Sequence, residues 1–89
     1  MLKEYQLNLF RQLQKLRQKG MIVKEYTEEF YKLSIRVIHV EDNMEKVARY
    51  INGLRYDIKD EISLWSLKTV EDAYQADLKA EEKMLRKQN

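Results

Sequence analysis

Apolar residues along this chain recur at helical rather than strand spacing. The clearest run is Val23 to Val37, where Tyr26, Phe30, Leu33 and Val37 follow one another at steps of four, three and four. At 3.6 residues per turn these four share one face, while Lys24, Glu25, Glu28, Glu29, Lys32 and Arg36 fall mostly on the others. A stripe carrying two aromatic rings has to bury against something, so this helix is expected to lie at the centre of the fold.

The remaining segments read as helices that could pack on it. Leu2 to Lys19 predicts a first helix with Leu9, Leu13 and Leu16 on one face and Leu2, Tyr5 and Phe10 near its edges. Glu4 lies early, and Lys15, Arg17 and Lys19 lie late, as the helix dipole favours. Gly20 is placed to end this helix with a positive φ. The central helix starts after Ile22, where a capping Ser, Thr, Asp or Asn would be usual, so a hydrophobic staple is the device left to it. Asp42 or Asn43 can cap a third helix, Met44 to Asn52, with Met44, Val47, Ala48 and Ile51 apolar and Tyr50 beside that stripe. Gly53 closes it, and Leu54 supplies the hydrophobic contact beyond a Schellman-type stop. A fourth helix, Arg55 to Leu64, carries Ile58 and Ile62, with Trp65 and Leu67 in its exit turn. Thr69 and Asp72 then form an approximate capping box for a fifth helix, from Val70 nearly to the end. On it Val70, Tyr74 and Leu78 share one face, and Ala73, Ala76 and Ala80 present a flatter one. The expected core is Tyr26, Phe30, Leu33, Val37, Leu54 and Ile58. Short connections favour a compact five-helix bundle, all-α, as a single domain over residues 1–89.

Composition narrows the function. There is no Cys, hence no disulfide and no zinc knuckle. Seventeen Lys and Arg face fifteen Asp and Glu, for a net charge of +2, too balanced for a protein that holds nucleic acid by charge. The two basic clusters, Lys15, Arg17, Lys19 and Lys83, Arg86, Lys87, sit at helix C-termini without interleaved aromatic rings, so direct nucleic-acid binding is not expected of this segment. No apolar run approaches the ~20 residues of a membrane span, so no membrane partner is expected. Charges interrupt the start, M-L-K-E-Y-Q, too early for a signal peptide, and the expected compartment is intracellular. The chain opens inside a helical pattern with no capping residue before it, so Met1 is expected to be an added start. His39 is the single histidine and falls in a predicted turn. No acid pair recurs at ligand spacing beside a second histidine, and no glycine-rich phosphate cradle occurs. The reading is a non-enzymatic chain that needs no metal and no cofactor. Six Tyr, two Phe, one Trp and four Met are either the filling of a monomer's core or apolar surface for a protein interface, where Tyr, Trp and Met are enriched.

Three blocks carry a family resemblance: L-R-Q-K-G-M-I-V-K-E-Y-T-E-E-F-Y-K-L, then V-A-R-Y-I-N-G-L-R-Y-D-I, then T-V-E-D-A-Y-Q-A-D-L-K-A-E-E. In this order and spacing they resemble the Gag polyprotein of plant gypsy-type LTR retrotransposons, over about Leu9 to Lys87. The helix order is similar to the C-terminal domain of retroviral capsid proteins, with V-K-E-Y-T-E-E-F-Y-K resembling the major homology region. The C-lobe of the neuronal Arc protein and the SCAN domain are similar. The resemblance implies a structural assembly module that dimerises and joins other Gag segments in cytoplasmic virus-like particles; the alternative is a domesticated, Gag-derived host adaptor or dimerisation domain. By position, it implies a twofold contact at Met44, Val47, Tyr50 and Ile51, with Gln18, Tyr26 and Phe30 holding the domain together. The chain departs from the family pattern at Lys19, where glycine is usual, at Ile22, where a small polar residue is usual, and at Asp77, where a small apolar residue is usual.

Overall fold

A computed structural model describes residues 2–37 and 42–87; His39 and the turn predicted around it lie outside them, as does Met1. The regular structure among the described residues is entirely helical: α1 (Leu2–Lys15), α2 (Val23–Ser34), α3 (Asn43–Asn52), α4 (Tyr56–Ile62) and α5 (Val70–Lys87). The order of elements is the predicted one, but several ends move.

The first helix stops at Lys15, four residues short of the prediction. The Arg17 guanidinium folds back onto the carbonyls of Gln14 and Leu16, at 2.8 and 2.9 Å, satisfying acceptors that a helix end leaves open. Gln18 then leaves the helix for a larger task. Its backbone N–H donates to Gly53 O at 2.7 Å, its side-chain amide donates to Met21 O, and its side-chain oxygen accepts from Arg55 N–H, both at 2.9 Å. One buried glutamine thereby ties the α1–α2 connection to the α3–α4 connection. The left-handed residue in this turn is Lys19, with φ 49°, and not Gly20.

Ile22 offers α2 no side-chain acceptor, and the acceptors come from elsewhere. Glu25 takes the Ile22 N–H at 3.3 Å, and Glu81 of α5 takes the Val23 N–H at 2.8 Å. The cap is thus supplied across the fold by a carboxylate, which also suits the positive end of the helix dipole. At the other end, the Ser34 hydroxyl donates to Phe30 O at 2.7 Å, and the helix ends there rather than at Val37.

Asp42 caps α3 by accepting the Glu45 N–H at 2.8 Å. Gly53 follows with φ −84°, a right-handed value, so the predicted Schellman stop is not formed. Glycine is needed here for space. A Cβ would meet the Tyr26 hydroxyl and lie 2.7 Å from Leu16 O. Helix α4 is shorter than predicted at both ends. Thr69 caps α5 as expected, accepting the Asp72 N–H at 3.1 Å.

Helix α5 packs on α2, α3 and α4, and α1 packs on α2. Tyr26, Phe30, Leu33, Leu54 and Ile58 are buried, as predicted for the core, and Val37 is half-buried against it. At the centre three rings meet: Tyr50 lies 5.3 Å from Tyr26 and 5.1 Å edge-on from Phe30, a favourable aromatic geometry. Helix α5 turns its alanine face inward, with Ala73, Ala76 and Ala80 buried and Tyr74 and Leu78 only partly so. Small residues let this helix approach α2 and α3 closely.

Candidate protein interaction surface

The four residues predicted for a twofold contact lie on α3, and the structure separates them. Side chains on a helix advance by about 100° per residue. Going round α3 from Tyr50 through Val47, Ile51 and Met44 to Ala48, exposure rises steadily. Tyr50 is 0% exposed, Val47 6% and Met44 80%, with Ile51 half-buried and Ala48 exposed. Tyr50 and Val47 are therefore core residues; Tyr50 presents no surface to a partner, and Val47 only a sliver at the floor of the groove described next. The core direction of α3 centres near Tyr50 and Val47, whereas its apolar arc centres between Ile51 and Met44, roughly 80° away. The arc is wider than the core covers. Its uncovered edge, Met44 and Ala48, lines a shallow groove with Leu67, Ser66 and Lys68 from the α4–α5 connection.

Behind this edge Tyr50 anchors α3 through polar contacts that the apolar pattern did not reveal. The Tyr26 hydroxyl donates to Tyr50 O at 2.7 Å, and the Thr27 hydroxyl donates to Val23 O at 2.8 Å. The Tyr50 hydroxyl lies 2.6 Å from Thr27 Oγ1. Since the Thr27 proton is already committed to Val23, Tyr50 is the donor in that pair. Burial pushes both tyrosine hydroxyls above the ordinary phenol range, so both remain protonated donors.

Asp77 of α5 lies against this group. It is 0% exposed, and neither carboxyl oxygen has a hydrogen-bond partner. Burial, with the Glu81 carboxylate adding to it and the nearby Tyr50 hydroxyl opposing it, pushes the Asp77 carboxyl up to about 7. The departure at Asp77 was visible in the sequence. Its burial was not, because which arc of α5 faces inward is decided by packing.

Three of the six residues in the basic clusters have intramolecular partners. Arg17 caps α1, Lys83 pairs with Glu61, holding that carboxyl below its usual range, and Arg86 lies 3.9 Å from Glu82. Among the described residues no three His, Cys, Asp or Glu side chains are grouped to hold a metal ion, and no helix is long and apolar enough to cross a membrane. No known protein family, curated protein or solved structure matches the chain.

Proposed function

We propose that this domain is a non-catalytic self-association module of the Gag capsid type, and that it meets a second copy of itself through the outer edge of α3. The observation that carries this is the apolar arc of α3, which extends past the core to Met44 and Ala48 beside Leu67. A methionine next to an alanine gives an adaptable apolar contact with room for a close helix approach. Two of the departures from the family pattern fall where the fold makes a physical demand. Lys19 holds the left-handed backbone that glycine adopts freely, and Ile22 lacks the polar cap that Glu81 provides instead. Both support reading the chain as a variant of that pattern. The near-balance of charge, +2 over the chain, favours protein over nucleic acid as the partner.

Sedimentation equilibrium from micromolar to millimolar chain tests the reading. The expected mass rises from monomer towards dimer, and Met44→Glu returns it to monomer with helicity unchanged. A monomer mass at millimolar concentration overturns it.

A further inference from the structure

We propose that Asp77 is a proton-operated latch: the domain closes with Asp77 protonated, and loss of that proton loosens α5 from α2 and α3. The inference stands on the buried cluster alone and is independent of whether the chain self-associates.

The first support is geometric. A carboxyl group with no exposed surface and no hydrogen-bond partner on either oxygen cannot keep a negative charge cheaply, because desolvation is uncompensated. The second is hydrogen-bond accounting. The neighbour that could stabilise an ionised Asp77 is the Tyr50 hydroxyl, and its proton is held by Thr27, whose own proton is held by Val23 O. The Tyr50 hydroxyl can favour an ionised Asp77 only by turning its proton away from Thr27, so ionisation competes with the Tyr50–Thr27–Val23 chain for that proton.

The charged and titratable surroundings point the same way. On α5 itself the neighbour is Glu81, one turn on; from α3 it is Tyr50; from α2 it is Tyr26, which feels Asp77 through space; α4, also packed on α5, contributes none of the groups that act on Asp77. None is a cation. Ionising Asp77 places two carboxylates one turn apart on the face that α5 turns to α2, and one of them already caps the first N–H of α2. Outward movement of α5 is the motion that hydrates Asp77 and lets water screen both carboxylates. The same face carries Ala73, Ala76 and Ala80, small side chains that hold α5 by close approach rather than by deep interdigitation. The burial that pushes the Asp77 carboxyl up to about 7 puts the transition near neutrality.

The experiment is an NMR titration of the full chain, labelled with 13C at aspartate carboxyls. A His39→Gln background removes the only side chain that ordinarily titrates near neutral pH. One aspartate is expected to titrate near neutrality. Amide-exchange protection of α5 and of the Val23 N–H, corrected for intrinsic rates, is expected to fall by at least about tenfold between pH 5 and pH 8. Asp77→Asn, which is neutral and of similar size, should flatten that profile. The proposal is overturned if Asp77 titrates in the ordinary carboxylate range, or if Asp77→Asn keeps the pH profile of the parent. Should Asp77→Asn fail to fold, the carboxyl titration and exchange profile of the unsubstituted chain decide.

Discussion

Lys19 carries a left-handed backbone, whereas the glycine beside it does not and has nothing within 4 Å of where a Cβ would sit. The two residues of the α1–α2 turn are thus in each other's favoured places. Lys19→Gly should stabilise the fold by about 1 kcal/mol, the order of the left-handed penalty for a residue with a Cβ. Gly20→Ala should add about 0.4–1 kcal/mol by restricting the unfolded chain. Denaturant midpoints check both, and a loss of stability in either would mean the turn is built differently. Gly53 is the opposite case. Its Cβ would be wedged against a backbone carbonyl and the Tyr26 hydroxyl that bonds Tyr50, so Gly53→Ala should cost about 2–3 kcal/mol. Asp77 adds a pH dependence whose sign is fixed by its raised pKa. The folded carboxyl holds its proton up to about 7, while the unfolded one releases it near 4. Stability from this group is complete below about pH 4 and is lost as pH rises through 7, by a total on the order of 4 kcal/mol. Thermal melts at pH 5 and pH 8 should show the lower midpoint at pH 8, and Asp77→Asn should bring the two together.

At the scale of elements, the existence and order of the five helices were legible because each has its own apolar period. Their ends were less legible. Helix α1 loses its last predicted turn to Gln18, whose partners Gly53 and Arg55 are over thirty residues away, and no local pattern announces such a partner. The cap of α2 was unreadable for the same reason, since Glu81 is 58 positions from Val23. Thr69, whose partner is three residues on, was read correctly. Which arc of a helix faces inward was the weakest inference: apolar residues run round nearly half a turn of α3 and more than half a turn of α5, and neighbouring helices chose among them. Caps of local and distant origin should nevertheless contribute alike. Glu81→Ala and Thr69→Ala should each cost about 1 kcal/mol, with faster amide exchange at the start of α2 in the first case and of α5 in the second. Unchanged exchange at Val23 in Glu81→Ala would show that the distant carboxylate is no cap.

At the scale of the molecule, the question is whether surplus apolar surface is a defect or a contact. The Cα extents are 52 × 26 × 16 Å, so the thin direction holds no more than two layers of helices, and each helix keeps an outer side. Several large apolar residues on those sides are exposed, Ile35, Tyr56 and Leu64 among them, and exposed apolar residues are normal for a small protein. The edge of α3 differs because Met44 and Ala48 continue an arc that begins in the core at Tyr50 and Val47 and passes through half-buried Ile51. Two substitutions one turn apart separate interface from core. Met44→Glu adds a negative charge in the first turn of α3, where the helix dipole favours it, so folding should be preserved while an apolar contact with a second copy is destroyed. Val47→Glu places the same charge in the core, unpaired, and should unfold the domain. Circular dichroism and sedimentation mass together give the answer. A helical monomer for Met44→Glu, beside a wild type that dimerises and a Val47→Glu that melts, locates the contact on the outer edge of α3. A Met44→Glu that still dimerises moves it elsewhere on the surface. A Val47→Glu that stays folded and monomeric would return Val47 to the interface and take it out of the core.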